Sequence, residues 1–388
     1  MSAILQTSSL FASATARGTD WRDIGRKILE TIEGIRTPDD GMNTGFLYTT
    51  YALGEDAASL LALLKNVTRI QNWYGAAGPG ICGGGRSFVD TPAACVMIGR
   101  LPAGSSCGFS MQDDDMQLPD TLRNWLTGHM AGAALVHGIG GPTAASRLAA
   151  LRDREGLYTI GGFSGLESGM HIHDGQLEKT AGLSGVVLDG DIRLMTATSY
   201  GCLPAGKPGR ITECHDHIIH SIDDQPAFMF LRDAIASIDL PETQQDERHL
   251  QIHAAFPVPA SDNSALLVRS IAHADEAMQT ITVQHHMARG DTIQFVYRDR
   301  MAALSDLSQT LKNLHIRARR DSGSPSNLQP KGILYFGCGA RMPMGEGDDE
   351  AGIIKDVMGD IPMAGFYTAA EICNGHVFGY TGVILVFL

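Results

Sequence analysis

The sequence predicts an α/β fold: two related α/β halves with mixed, largely buried sheets and an internal duplication. Three observations lead there. Apolar residues alternate between helical spacing and short extended runs. The short runs are apolar throughout, as in strands covered on both faces. One order of elements also occurs twice, near each end of the chain. At 388 residues the chain exceeds the usual size of one core, which favours two domains. Its 44% hydrophobic against 19% charged residues supports sizeable cores rather than disorder.

Taken in order, Ile24, Ile28, Ile32 and Ile35 recur at helical spacing, and Thr37-Pro38-Asp39-Asp40-Gly41 ends that pattern. Residues 1–44 therefore read as an N-terminal helical extension. Gly45-Phe46-Leu47-Tyr48 follows as a strand, and Glu55 and Asp56 open a helix through Leu60, Leu61, Leu64 and Val67, where negative charge suits a helix N-terminus. An acidic loop around Asp113-Asp114-Asp115 ends at Pro119-Asp120. A helix through Leu122, Trp125, Leu126 and Met130 is expected next, which places His129 on its packed face. Strands are expected at Tyr158–Phe163, Leu183–Leu188 and Arg193–Ser199. Met301, Leu304, Leu307, Leu311 and Leu314 form a helical stripe that stops before the polar run Arg319–Asn327, an exposed loop by composition. Arg317, Arg319 and Arg320 suit the C-terminal end of that helix. The two α/β domains are placed at 45–200 and 201–388.

The repeat sets Gly45–Tyr48, a helix over 56–67, the loop Tyr74–Ile81 and the strand Ala94–Ile98 against Gly332–Tyr335, a helix through Ile353, Ile354 and Val357, the loop Gly365–Ile372 and the strand Val383–Phe387. Two apolar strands joined through a helix suit parallel pairing within each unit.

Charge and cysteine content exclude several classes. A formal charge of -13 repels phosphate backbones and anionic lipid, so nucleic acid and membrane surfaces are not expected partners. Seven cysteines at irregular spacings read as reduced thiols of a cytoplasmic protein. The first ten residues lack the basic segment of a signal peptide, and no run of 18 uncharged apolar residues is present.

Candidate chemistry gathers at a few positions. Cys338 follows an apolar strand with Arg341 three residues on, where a guanidinium would lower a thiol pKa; a small buried thiol at a strand end is the favoured reading of these residues. Glu371 is a pocket carboxylate or a helix-start cap. With Tyr367, these four make a candidate ligand site between the halves, and none of them alone supports an enzyme. His171 and His173 are two apart, so both rings share one face of an extended segment and could ligate a metal or haem iron; Met170–Gly175 also reads as a loop entering a turn. The run Cys214–His220 mixes thiol and imidazole but alternates like a solvated strand face. His285 and His286 point opposite ways if extended.

The segments Gly332–Arg341, Ile361–Ile372 and Gly379-Tyr380-Thr381, with Gly182–Val186, Gly201–Gly206 and Ile222–Ala227 between, resemble the FIST sensory family of bacterial signalling proteins and some F-box proteins. The resemblance implies an N-terminal FIST domain over 45–200 and a C-terminal one over 201–388. Where the family's first loop often ends Gly-Glu-Ile, Gly80 stands at the position matched to Glu371. A chain of this kind without an F-box resembles the nitric-oxide-sensing haem proteins of the family. That likeness implies haem as cofactor, His171 or His173 as iron ligand, and output to a histidine kinase or cyclic-dinucleotide enzyme. The alternatives are a haem-free module for a small metabolite near Cys338, Arg341, Tyr367 and Glu371 and, behind it, a hydrolase or transferase that uses Cys338. The expected partners are a small-molecule or gas ligand, a separate signalling protein, and a second copy of the chain in a homodimer.

Overall fold

Parallel strands joined by a helix need a long crossover, and three such crossovers organise the protein. The computed structural model describes residues 4–8, 10–34, 41–112, 117–238, 251–258, 266–320, 329–344 and 349–388. The predicted loops at Asp113–Asp115 and 321–327 lie outside the described residues. The chain forms two compact units. One comprises Met1–Tyr200, Leu304–Val377 and Thr381–Leu388; the other comprises Gly201–Ala303 and Phe378–Tyr380.

The larger unit contains both predicted copies in equivalent positions, and a third copy between them. Each copy has the same parts: an entry strand, a helix, a first core strand, a helix, a second core strand parallel to the first, a hairpin, and a closing strand. In copy one these are Phe11–Arg17, Trp21–Glu33, Thr44–Thr50, Asp56–Thr68, Asn72–Gly78, the hairpin Gly80–Gly83 with Arg86–Val89, and Ala93–Gly99. Copy two has Ser106–Gln112, Asp120–Leu126, Ala131–Ile139, Ala144–Asp153, Thr159–Gly165, the hairpin His171–His173 with Gln176–Glu178, and Gly182–Asp189. Copy three opens with Leu194–Tyr200 and resumes with Arg300–Arg320, Gly332–Cys338, Glu350–Met358, Met363–Thr368, the hairpin Ala370–Cys373 with His376–Phe378, and Thr381–Phe387. Residues 1–44, expected as a helical extension, thus hold the strand Ile4–Thr7 and the entry strand and first helix of copy one. The helix expected to reach Met130 ends at Leu126. His129 lies beyond it, exposed and stacked on Trp125 at 4.3 Å, not in the core.

The registers make the equivalence concrete. In each copy the closing strand runs antiparallel between the entry strand and the first core strand. One backbone bond recurs at the foot of all three copies: Arg100 N to Leu10 O at 3.0 Å, Asp189 N to Ser105 O at 2.9 Å, and Leu388 N to Arg193 O at 3.0 Å. The hairpins turn through Gly84-Gly85, Asp174-Gly175 and Asn374-Gly375, all at positive φ, the two-residue turn that matches strand twist.

Each hairpin joins another copy's sheet. The hairpin of copy one pairs Cys82 with Gly365 of copy three, that of copy two pairs Ile172 with Gly75 of copy one, and that of copy three pairs Ile372 with Gly161 of copy two. Side chains alternate across the core strands. Leu47 of copy one packs outward on Ile24, Ile28, Leu60 and Leu64, and Val136 of copy two on Leu122 and Leu148. In copy three Tyr335 does the same against Leu307, Leu311 and Ile354. The opposite faces of the first core strands bring Tyr48, His137 and Phe336 together, with ring centroids 5.5, 5.9 and 6.0 Å apart. The Tyr48 hydroxyl lies 3.1 Å from His137 Nε2. Burial lowers His137 from 6.5 to about 3, with the nearby His171 adding to the effect, so this imidazole is neutral.

The smaller unit is an antiparallel sheet of seven strands between Cys202 and Arg298, and the pairing of Cys202–His215 with Ile218–Ile222 closes it on itself. The helix Ala227–Ala236 contributes Phe230 and Leu231 to its core with Phe256 and Phe295.

The parallel pairs depend on one glycine per copy. A Cβ on Gly75 would lie 1.8 Å from the Leu47 carbonyl oxygen, on Gly161 1.9 Å from that of Val136, and on Gly365 2.1 Å from that of Tyr335. Each contact is backbone, so no side chain can swing away. Gly75→Ala, Gly161→Ala and Gly365→Ala should each cost at least about 2 kcal/mol, whereas Gly379→Ala, which meets nothing within 4 Å, should not. Urea denaturation of the four variants checks this.

Candidate functional site

The register of the hairpins defines one position three times. Ile81, His171 and Glu371 each lie opposite the residue that follows the core-strand glycine, namely Phe366, Ala76 and Gly162. Two of the predicted site residues are therefore equivalents of one another. The counterpart of Glu371 in copy one is Ile81, not Gly80, because the short hairpin turn and not the loop sequence fixes the alignment.

Only copy three places a carboxylate there. Glu371 is fully buried and accepts from Thr368 Oγ1 at 2.7 Å, and from Thr381 N at 3.1 Å and Oγ1 at 2.8 Å. Burial raises it from 4.5 to about 7, although those hydrogen bonds and Arg341 act the other way. Cys338 is buried at the end of the neighbouring strand, in register with Thr368.

Arg341 closes the short 3₁₀ turn Gly339–Arg341 that follows this strand. Its Nε donates to Glu350 Oε1 at 2.8 Å, and its Nη atoms donate to the Ser199 carbonyl at 3.2 Å and Ser199 Oγ at 3.1 Å. Tyr335 donates to the other Glu350 oxygen at 2.6 Å. Burial alone would lower Arg341, but Glu350 and Tyr335 outweigh it and the guanidinium is held above its usual value. Tyr367 belongs to the adjoining network: its hydroxyl lies 3.0 Å from Ser87 Oγ, which donates to Asp349 at 2.6 Å. Asp349 also caps the helix Glu350–Met358 through Ala351 N.

The structure thus brings Cys338, Arg341 and Glu371 into one buried set, with Tyr367 on the strand alongside. It adds Glu350, Tyr335, Ser199 and Asp349, which sequence reasoning missed. The signal for two of them was legible: Asp349-Glu350 ahead of Ile353 and Ile354 is an N-cap followed by an acidic first turn.

His171 and His173 share one face of their strand, with Ile172 in the core on the other. Their polar partners belong to copy two. His171 Nδ1 lies 2.6 Å from Ser184 Oγ, Nε2 lies 3.3 Å from the Thr180 carbonyl, and burial lowers the ring from 6.5 to about 4. His171 is 1% exposed, a core residue where sequence suggested otherwise. His173 Nε2 lies 3.5 Å from Glu178, and both its ring nitrogens are covered. These residues do not fit haem: both nitrogens of His171 are hydrogen-bonded and both nitrogens of His173 are covered. In the smaller unit, His217 lies against His286 at 4.3 Å with Nδ1 3.0 Å from the His285 carbonyl, while His215 and His220 are exposed. Among the described residues no group of three metal-ligating side chains assembles, and no helix is long and apolar enough to cross a membrane.

Comparison with known proteins places this arrangement. The FIST N domain matches residues 43–225 and the FIST C domain matches residues 227–374. The chain belongs to the FIST family. FIST domains are small-ligand sensing domains. Similar proteins include an uncharacterized protein of Mycobacterium tuberculosis (strain CDC 1551 / Oshkosh), 32% identical over 222 residues and 54% of each chain. Another, of Mycobacterium bovis (strain ATCC BAA-935 / AF2122/97), is 30% identical over 198 residues, covering 50% of this chain and 49% of the relative. The match spans about half the length of these relatives. A crystal structure of a chorismatase aligns with 100% of this chain and 77% of its own at 7% identity, with a TM-score of 0.21 that carries no argument.

The Glu371 shift has a sign. A carboxyl raised from 4.5 to about 7 binds a proton more tightly folded than unfolded, so its contribution is complete below pH 4.5 and is lost as pH rises through about 7. Lowered His171 works oppositely: its contribution is complete above pH 6.5 and is lost as pH falls toward about 4. Glu371→Gln removes only the first dependence. Relative to the native protein the variant should gain stability between pH 5 and pH 8, by on the order of 3 kcal/mol. Chemical denaturation at both pH values measures that change, and the constant cost of altered hydrogen bonds drops out of it.

Proposed function

We propose that this FIST protein is a haem-free sensor of a small polar metabolite, recognised at the Glu371 position of copy three. The observation that carries the reading is the break in symmetry: Ile81 and neutral His171 occupy the equivalent positions, and only Glu371 is set beside a buried arginine network. A scaffold needs no carboxyl there, since Ile81 fills the same place, and a carboxyl that titrates near neutrality is a mark of functional sites. A ligand with an ammonium or other cationic group would draw Glu371 to its ionised form, and Arg341 would sense that change through its electrostatic interaction with Glu371. Output would pass to a separate signalling protein such as a histidine kinase. A nitric-oxide-sensing haem protein is the less favoured reading because both nitrogens of His171 are engaged.

Calorimetric titration with a panel of amino acids and aliphatic amines tests this reading. A panel member should bind, its affinity rising about fivefold from pH 6 to pH 7 and less than about twofold further above it as Glu371 ionises. Glu371→Gln should weaken that binding at least about tenfold. Binding indifferent to pH and to the substitution would overturn the site. A Soret band in protein grown with ample haem, lost in His171→Ala, would return the argument to the haem sensor.

A further inference from the structure

A second feature of the larger unit lies away from Glu371, where the closing strands end. A groove of about 470 Å³ opens there, with an apolar lining of Leu10, Phe11, Leu101, Ile192, Phe387 and Leu388. The volume falls in the usual range for small-molecule sites. Its floor is firm: Phe11 and Phe387 pack at 4.7 Å, and Phe46 lies 6.1 Å from Phe387.

The groove also carries Arg100 and Arg193. They stand on two of the three equivalent rungs described above, in swapped order: Arg100 bonds through its backbone to Leu10, and Leu388 to Arg193. The third rung, Asp189 with Ser105, has no arginine and does not line the groove. Both guanidiniums are exposed, and neither side chain has an ion pair or hydrogen bond among the described residues. Asp191, also on the rim, lies farther than ion-pair distance from both. Two unpaired cations beside an apolar trough are notable in a chain of net charge -13, where carboxylates outnumber basic groups. Arginine is the side chain suited to holding a carboxylate in a two-pronged bond, and the trough takes an apolar body.

We infer that this groove binds a small amphipathic carboxylate, its acid group held by Arg100 and Arg193 and its hydrocarbon part lying on Phe11 and Phe387. The site is independent of Glu371 and uses four chain segments, 10–11, 100–102, 191–193 and 387–388, where copies one and three begin and end.

Calorimetry with decanoate and, as the neutral counterpart, decanol tests the inference. Decanoate should bind the native protein at least about tenfold more tightly than decanol. Arg100→Gln with Arg193→Gln should bring decanoate down to the level of decanol and leave decanol unchanged; both positions are exposed, so the fold should persist, as circular dichroism would verify. Ile192→Asp should weaken both ligands, because it places a charge in the trough at a half-buried position. Decanoate binding that survives the double arginine variant, or equal affinity for acid and alcohol, would overturn the inference.

Discussion

The larger unit depends on a close approach of backbone to backbone where two parallel strands meet at a glycine. At Gly75, Gly161 and Gly365 a carbonyl oxygen of the partner strand occupies the space of a side chain. The same three glycines receive the hairpin of another copy, at Ile172, Ile372 and Cys82. One residue type thus sets both the pairing within a copy and the exchange between copies. No copy completes its sheet alone, which explains how three short α/β motifs form one core around Tyr48, His137 and Phe336.

Repetition supplies a scaffold, and departures from it mark where the chain has been adapted. At the hairpin position the three copies carry Ile81, His171 and Glu371. The apolar residue shows what the scaffold tolerates, and the carboxyl shows what has been added. Burying Glu371, Arg341 and Glu350 together is costly unless every donor and acceptor is matched. Thr368, Thr381, Ser199 and Tyr335 supply those matches. A buried arrangement of this kind is poised between protonation states, which is a useful property for a sensor and an unneeded one for a strut.

Copies one and three were legible because Tyr74–Ile81 and Gly365–Ile372, expected as loops but forming the second core strand and the start of the hairpin, share glycine and small-residue spacing, and because Phe46–Tyr48 and Ile333–Tyr335 are apolar runs of one length. Copy two was not, since its first core strand Ala131–Ile139 is built from alanine and glycine as much as from large side chains and its periodicity is faint. The inserted unit between Tyr200 and Leu304 also separates the entry strand of copy three from its core strands and hides the common order. A usable signal did exist in Asp174-Gly175 and Asn374-Gly375, both two-residue hairpin turns. The equivalence of Glu371 with His171 was beyond reach, because it rests on strand register, and a slip of one residue exchanges the two faces. Arg341 and Tyr367 could be named from sequence, but their partners Ser199 and Ser87 join them from far along the chain.

Three copies, interlocked by their hairpins, form a single cooperative core. Native-state hydrogen exchange tests this most directly, followed at the hairpin contacts of Gly75 with Ile172, Gly161 with Ile372, and Gly365 with Cys82. The amides of all three contacts should exchange only through global unfolding, with one shared free energy and one shared dependence on denaturant. If one contact opens at a markedly lower free energy while the other two stay protected, that copy is an appendage and the interlocked core is wrong.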